Sequence, residues 1–219
     1  MEREREILNP KARRPGREAW LLIYVPVYLA LFYIVEHVIT DNYWISYCPL
    51  DDAIPFVRQF VFIYVLWYPL MAGMALWLLW RDRHAFLRYG WAVISGLTLS
   101  IVIFFIWPSG QNLRPAALPG NDLASRLLRA IYAADTNTNV LPSMHVVGTL
   151  AAVRAAFEPA CFKKKLPRWG VAVLGLLINA STVLVKQHSL LDLLAGAALY
   201  LLIYPFIYVL PDRIRHRRT

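Results

Sequence analysis

A histidine and an aspartate near the end of the sequence, His188 and Asp192, have a spacing that suits nucleophilic chemistry. Residues four apart lie on one face of an α-helix, so their side chains can form a hydrogen bond. A carboxylate that orients a histidine fixes its tautomer and keeps the other ring nitrogen available as a nucleophile or base. We therefore predict that His188 and Asp192 are catalytic residues.

A second histidine, His145, follows a pattern that is typical of a helix start. Pro142 suits the first turn of a helix, and Asn139 is the predicted cap just before it. The free backbone amides of such a helix start, near Ser143 and Met144, attract an anion. His145 would then lie about one turn into the helix, beside an anion bound there.

Two cations and two further polar residues complete the candidate site. Arg114 and Lys186 bring positive charge, and we predict that they bind phosphate together with the helix start. Such a site could bind a phosphate, attack it and protonate a leaving oxygen. Asn112 and Asp135 are candidates for a substrate pocket, although turn chemistry alone explains the Asp-Thr-Asn-Thr-Asn run that begins at Asp135.

The composition indicates that membrane helices position these residues. Hydrophobic residues make up 58% of the 219 residues and charged residues 17%, whereas soluble domains have about 45–50% and about 25%. This excludes a disordered chain and disfavours a small soluble domain. There are six apolar stretches, and most approach the roughly 20 residues that cross a bilayer; the fourth is the shortest and contains Arg154. They run over Trp20–Ile39, Phe60–Trp80, Trp91–Trp107, Pro142–Phe157, Trp169–Val185 and Leu190–Leu210.

The positive charges predict the orientation of these helices. Eighteen of the 23 lysine and arginine residues fall in the terminal segments or beside the connections that follow the second and fourth stretches. By the positive-inside rule both termini are cytoplasmic, with a basic segment over residues 1–18 and a tail over residues 211–219. The net charge of +9 then reflects topology and attraction to anionic lipid, and we predict no nucleic-acid partner.

The predicted fold class is all-α: one membrane-embedded domain over residues 1–219 with six transmembrane helices. The candidate residues lie between residues 112 and 196, in three segments that this topology brings to the same outer face. The long connection before the fourth stretch also contains an amphipathic pattern over Asp122–Ala134, which predicts a short helix at the membrane interface.

The three segments together resemble a known family. Arg114-Pro115, then Pro-Ser-x-His ending at His145, then His-x-x-x-Asp from His188 to Asp192, is similar to the type 2 phosphatidic acid phosphatase superfamily. The six-helix layout resembles its integral-membrane branch, the lipid phosphate phosphatases. The sequence around His145 and the Lys-Gln-His run most resemble those of the inositol phosphorylceramide synthases and related bacterial proteins. The resemblance covers about Asn112 to Gly196.

The resemblance implies a role for each matching residue. His188 matches the nucleophile that forms a phosphohistidine, Asp192 matches its partner, and His145 matches the general acid for the leaving group. Arg114 and Ser143 match residues that bind the phosphate. The family's chemistry needs no metal, so the resemblance implies no metal site and no cofactor.

The sequence lacks two cationic residues that the family pattern contains. The first motif begins with a lysine seven residues before Arg114, where this chain has Trp107. The third motif has an arginine where this chain has Thr182. We expect Lys186, two residues before His188, to replace one of the missing cations.

The resemblance implies a lipid phosphatase acting on lipid phosphates or diphosphates, and alternatives remain open. The same histidine nucleophile would serve a phosphotransferase of the inositol phosphorylceramide or sphingomyelin synthase type, with an alcohol as acceptor. A transporter or channel and a non-catalytic lipid-binding protein are alternatives of a different class. A zinc site built from His145, His188 and Asp192 is a further alternative, which the nearby cations disfavour.

The expected partners are the lipid bilayer, a lipid phosphate substrate and, for a transferase, an alcohol acceptor. The expected location is the plasma (inner) membrane, with multiple spans and the site facing the extracytoplasmic side. The short connections and the lack of an obvious glycosylation sequence on the outer face favour a bacterial host.

Overall fold

The computed structural model describes residues 15–159 and 161–216, so residues 1–14 of the predicted basic segment and residues 217–219 of the predicted tail lie outside the description. Five described helices have the length and apolar composition to cross a membrane. They are α1 (Arg17–Val38), α3 (Arg58–Arg81), α4 (Arg83–Ile106), α7 (Lys165–Leu184) and α8 (Leu190–Arg213). The shorter helices are α2 (Leu50–Ala53), α5 (Leu123–Ala134) and α6 (Met144–Ala156). Five of the six predicted spans are therefore present as long apolar helices, and this confirms the prediction of a multi-pass membrane protein.

The remaining predicted span forms a helix that is shorter than expected. The 13 residues of α6 extend about 20 Å at about 1.5 Å per residue, and the hydrocarbon core is about 30 Å thick. Ten of these 13 residues are buried, because α3, α4, α7 and α8 all pack against α6. The helix that carries His145 is thus the centre of the bundle, and a sixth span stays a prediction.

Glycines on three neighbouring helices let the backbones approach α6 closely. A Cβ atom at Gly96 of α4 would lie 2.3 Å from Val147, and one at Gly175 of α7 would lie 2.7 Å from a threonine side chain of α6. A Cβ atom at Gly196 of α8 would lie 2.6 Å from the carbonyl oxygen of Ser143. Small residues at contacts are typical of membrane helices, whose association depends on close packing.

Two helix starts differ from those predicted. α4 begins eight residues before the expected Trp91, because the side chain of Asp82 caps it by accepting a hydrogen bond from the Ala85 amide at 2.6 Å. The cap of α6 is Ser143, and the prediction of Asn139 was wrong. Asn139 lies four residues earlier, in the left-handed region at φ 56°.

Charged side chains join helix ends at one face of the bundle. Glu18 at the start of α1 forms an ion pair with Arg83 of α4 at 3.4 Å. Arg88 of α4 pairs with Asp212 at the end of α8. Both ends of the described chain therefore lie at the same face, together with the connection between α3 and α4.

At the opposite face, two connections pair as short strands. β1 (Trp44–Ile45) is parallel to β2 (Ser109–Gly110), and Gly110 also forms a bridge with Thr138. The all-α prediction did not include this pairing, which provides hydrogen-bond partners for the backbone of the buried β2 residues. It joins the connection after α1 to two parts of the connection that precedes α6.

The predicted amphipathic helix is confirmed as α5. Asp122 caps it by accepting a hydrogen bond from the Ser125 amide at 2.9 Å. Leu128 is fully buried, whereas Arg126 and Arg129 are exposed. The helix therefore packs one apolar face on the protein and presents charged side chains on the other.

Candidate active site

The turn between α7 and α8 places His188. Lys186 has a left-handed backbone with φ 54°, and the amides of Gln187 and His188 both donate to the Thr182 carbonyl, at 2.8 and 3.2 Å. Ser189 then caps α8, and its amide donates to the Asp192 side chain at 2.9 Å in a capping box. The local sequence thus ends one helix and begins the next within five residues.

His188 and Asp192 form the predicted pair. His188 Nδ1 lies 3.2 Å from Asp192 Oδ2, and both side chains are buried. The other carboxylate oxygen, Oδ1, accepts a hydrogen bond from the Ser46 hydroxyl at 2.5 Å. Because Nδ1 is held by the carboxylate, Nε2 is the ring nitrogen that can attack a substrate.

His145 faces His188 from the start of α6. Its Nδ1 lies 3.4 Å from His188 Nε2. The ring packs between Tyr64 and Trp67, with centroid distances of 4.6 and 4.8 Å, and the Trp67 indole donates to the His145 carbonyl at 3.1 Å. His145 Nε2 is buried without a hydrogen-bond partner in the described chain, so this nitrogen can serve a bound substrate.

Ser143 and Met144 lie at the start of α6, as predicted. The Ser143 side chain makes no capping bond, and its hydroxyl is buried without a partner in the part of the chain that is described. The Ser143 amide donates to the Asp192 carbonyl at 3.0 Å, which ties α6 to α8. The first amides of a helix have no partner within it, so a helix start next to two histidines can bind an anion.

Arg114 lies beside the site, but carbonyl oxygens occupy much of its guanidinium. Its Nη2 donates to the carbonyls of Asp135 and Thr136, at 2.7 and 2.6 Å, and to the Gln187 side chain. The group stacks on the Tyr132 ring at 4.2 Å. Burial lowers the pKa of Arg114, and the charge of Asp135 opposes this effect. Arg114 Nε has no partner among the described residues.

The Lys186 side chain, which was predicted to bind phosphate, contacts backbone carbonyls of another segment. Its ammonium group donates to the backbone carbonyls of Asp51 and Ile54, at 2.8 and 2.7 Å. The left-handed backbone and the buried carbonyls of the α2 segment turn the side chain toward that segment. Lys186 thus joins the connection after α1 to the turn that carries His188.

The two candidates for a substrate pocket have different surroundings. Asp135 is half-buried, and its Oδ2 accepts hydrogen bonds from the Tyr64 hydroxyl at 2.8 Å and from Nε2 of the Gln187 side chain at 3.0 Å. Gln187 therefore joins Asp135 to Arg114. Asn112 is exposed and is not among the residues that line the cavity described next.

An apolar cavity of about 610 Å³ leads to the two histidines. Side chains of α1, α3 and α4 line it, and those of α4 extend from Phe86 to Leu97, a rise of about 16 Å. The polar residues that line the cavity are Asp135, Asn139, His145, Gln187 and His188, with tyrosines of α1, α3 and α4. A long apolar pocket with a few polar groups at one end suits a ligand with an apolar tail and a polar head.

Within residues 15–159 and 161–216, no group of three or more His, Cys, Asp or Glu side chains is arranged to hold a metal ion. The alternative of a zinc site at the two histidines therefore has no ligand set in this part of the chain.

Sequence reasoning missed the contribution of the connection after α1. Ser46 contacts Asp192, which is 146 residues away in the sequence, and nothing in the local sequence marks it. Asp51 accepts hydrogen bonds from the Ser189 hydroxyl at 2.6 Å and from the Leu190 amide at 2.9 Å. Gln187 donates a hydrogen bond to Asp135. Its place next to His188 in the sequence was a signal that could have identified it as a site residue.

One comparison with known proteins identifies a family for this chain. A family model described as the PAP2 superfamily matches residues 44–206, about three quarters of the chain. No curated protein and no solved structure matches the chain significantly. Because the family match extends over most of the chain and includes both histidines and Asp192, the chain belongs to the PAP2 superfamily, and this membership supports an enzyme of the phosphatase or phosphotransferase type.

Proposed function

We propose that this protein is a membrane lipid phosphatase that acts through a phosphohistidine at His188, without a metal ion. The observation that carries the proposal is the apolar cavity that ends at His145 and His188. A lipid tail would occupy the cavity between α1, α3 and α4. Its phosphate would then lie at the polar end, within reach of the start of α6.

In the first step, His188 Nε2 attacks phosphorus while the bond from phosphorus to the lipid oxygen breaks. The leaving oxygen takes a proton from His145, which gives a lipid alcohol and a phosphohistidine. An entering phosphoryl group replaces the 3.4 Å contact between the two histidines. Asp192 holds His188 in the tautomer that exposes Nε2.

In the second step, a water molecule attacks the phosphohistidine and gives its proton to His145. The bond between phosphorus and His188 breaks, inorganic phosphate leaves, and the site returns to its starting state. The amides near Ser143 and Met144 stabilise the phosphate charge at the helix start. Arg114 adds positive charge nearby, and its unpartnered Nε supports this role.

Transfer to an alcohol is a second candidate, which Asp135 favours. Its Oδ2 is held by Tyr64 and Gln187, and no described residue hydrogen-bonds to its Oδ1. A carboxylate oxygen at the polar end of the cavity suits a hydroxyl group, because it accepts a hydrogen bond. An inositol phosphorylceramide or sphingomyelin synthase-like transfer would use the same phosphohistidine, with the acceptor hydroxyl in place of water.

The proposed location is the plasma membrane of a bacterium, with the site on the extracytoplasmic side. The charge distribution supports this orientation by the positive-inside rule. Arg83 and Arg88 pair with Glu18 and Asp212 at the face where both ends of the described chain lie, which supports placing this basic face in the cytoplasm.

The experiment uses the purified protein in detergent with a panel of lipid phosphates, lipid diphosphates and labelled phospholipids. We expect inorganic phosphate release that persists with chelator, and an acid-labile, base-stable phosphoenzyme after rapid quenching. The matched variant His188→Ala should form none. A parallel assay with candidate alcohols distinguishes a phosphatase, which transfers the phosphoryl group to water, from a phosphotransferase, which transfers it to the alcohol. Turnover by His188→Ala, or activity that requires added zinc or magnesium, would refute the proposal.

A further inference from the structure

The buried carboxylate of Asp192 receives hydrogen bonds on both oxygens. Oδ2 accepts from the Ser189 amide at 2.9 Å and lies 3.2 Å from His188 Nδ1. Oδ1 accepts from the Ser46 hydroxyl at 2.5 Å. Asp192 and Ser46 are both fully buried, with no exposed surface. Ser46 is therefore the partner of Asp192 Oδ1, the carboxylate oxygen that does not contact His188.

The position of Ser46 is fixed by backbone contacts. The Ser46 amide donates to the Gly110 carbonyl at 2.7 Å, and the Trp44 amide donates to the Pro108 carbonyl at 2.9 Å. These bonds extend the pairing of β1 with β2. The hydroxyl is thus held at one place by a segment that contains neither histidine.

A second anchor holds the other end of the same segment. Asp51 accepts hydrogen bonds from the Ser189 hydroxyl and the Leu190 amide, and the Lys186 ammonium donates to the Asp51 carbonyl at 2.8 Å. The connection after α1 therefore contacts the start of α8 on both sides of Ser189. Movement of Ser46 away from Asp192 would require these contacts to break as well.

We propose that Ser46 is a positioning residue, which sets the orientation and basicity of Asp192 and, through it, of the His188 nucleophile. The inference rests on the proposed function. A hydrogen bond from a hydroxyl spreads the carboxylate charge and weakens its attraction for a proton on His188. His188 must be unprotonated at Nε2 to attack phosphorus. Ser46 therefore extends the pH range in which the nucleophile is available toward lower pH.

Other titratable groups surround the pair, and none of those described forms a hydrogen bond with Asp192 Oδ1. The groups that face the pair from neighbouring elements, or contact the residues beside it, are His145, Tyr64, Asp51, Lys186, Asp135 and Arg114. All of them are retained in a Ser46 variant. A change in pH dependence caused by removing the hydroxyl therefore reports the bond to Oδ1.

The first measurement is the pH dependence of kcat/KM for Ser46→Ala. The acid limb is the part of the pH profile in which kcat/KM rises with pH. Because Ser46→Ala loses a hydrogen bond to a charged group, we expect the midpoint of this limb to move upward by about one pH unit. The limb belongs to the coupled site and not to one residue. Ser46→Cys keeps a weak donor and should lie between the native protein and Ser46→Ala. Ser100→Ala is the matched control, because Ser100 is also fully buried and donates only to the Gly96 carbonyl, at 2.9 Å.

The second measurement does not depend on turnover. The five histidines of the chain can be labelled with ¹⁵N and titrated by NMR in detergent micelles, with His188→Ala used to assign the signal of His188. We expect the midpoint of that signal to move upward in Ser46→Ala and to stay unchanged in Ser100→Ala. This measurement decides the inference if Ser46→Ala is too slow for kinetics.

The outcomes separate this inference from the proposed function. An unchanged acid limb and an unchanged titration in Ser46→Ala, in a protein that still forms the phosphoenzyme, would overturn the role of Ser46 alone. Absence of a phosphoenzyme in the native protein would overturn the proposed function. The inference is supported when Ser46→Ala shifts both measurements and Ser100→Ala shifts neither.

Discussion

The two histidines have different surroundings, and this difference predicts separate roles. His188 is held by Asp192, so we expect His188→Ala to abolish turnover while the protein folds normally. Asp192→Asn should lower kcat by roughly 10²–10⁴-fold, because the amide favours the wrong histidine tautomer. Steady-state kinetics and thermal unfolding of both variants check this. Retention of native activity by Asp192→Asn would show that His188 does not depend on its carboxylate.

His145 is predicted to act on the leaving group. With a lipid alkoxide, His145→Ala should lose roughly 10²–10⁴-fold in rate, the contribution typical of a general acid. With a nitrophenyl phosphate, whose leaving group needs little protonation, the variant should recover much of that loss. Single-turnover rates with both substrates provide the measurement. Equal losses with the two leaving groups would exclude His145 as the acid.

Asp51 predicts a dependence of stability on acid pH. Burial works to raise the pKa of Asp51, but hydrogen bonds from Ser189 and from the amides of Leu190 and Cys48 outweigh it and lower the pKa. A lowered pKa stabilises the fold above the unfolded value of about 3.9, and this stabilisation is lost as pH falls through the folded value.

The measurement is the Tm of Asp51→Asn between about pH 3 and pH 7, a window that spans the unfolded carboxylate pKa. We expect the variant to have a lower Tm than the native protein near neutral pH. The difference between the two Tm values should become smaller toward pH 3. The exposed Asp41 provides the control variant Asp41→Asn, which should follow the native curve. A difference that stays constant across the range would contradict the predicted linkage.

At the scale of elements, the contact between α6 and α8 decides whether the two histidines meet. In Gly196→Ala the new Cβ would lie 2.6 Å from the Ser143 carbonyl oxygen and 3.0 Å from Val146. Because the nearer atom is backbone, the helices must separate, at a cost of about 1–3 kcal/mol. We expect a lower Tm together with a lower kcat, since Asp192 lies one turn from Gly196.

The control for this substitution is Gly170→Ala on α7. A Cβ at Gly170 meets no atom within 4 Å, and alanine favours a helix over glycine by about 1 kcal/mol. Gly170→Ala should therefore keep the native kcat and have an equal or higher Tm. If both variants behave alike, the close approach of α8 to α6 does not determine activity.

At the scale of the whole molecule, the charge distribution predicts which face is outside. In a Cys48→Ser background, a cysteine at the exposed position Asn121 should react with an impermeant thiol reagent added to intact cells. A cysteine at the exposed position His84 should react only after the membrane is permeabilised. The reverse labelling would place the histidines on the cytoplasmic side and refute the proposed orientation.

Features that depend on local periodicity and composition could be predicted from the sequence. Apolar stretches predicted the long helices, because the bilayer requires a length and a composition that can be read directly. The spacing of His188 and Asp192 predicted their contact but not its setting. His188 precedes Ser189, the cap of α8, so the contact forms across a helix start and not along a helix face. The amphipathic pattern over Asp122–Ala134 predicted α5, since its period matches that of a helix.

Features that depend on remote partners follow from the packing of distant segments and could not be predicted from the local sequence. Lys186 and Arg114 have long side chains, and carbonyl oxygens of distant segments set their directions. Ser46 reaches Asp192 only because β1 pairs with β2. The length of α6 could not be read from its apolar residues either: a helix surrounded by protein does not need to match the bilayer, and apolar composition does not distinguish a protein neighbour from lipid.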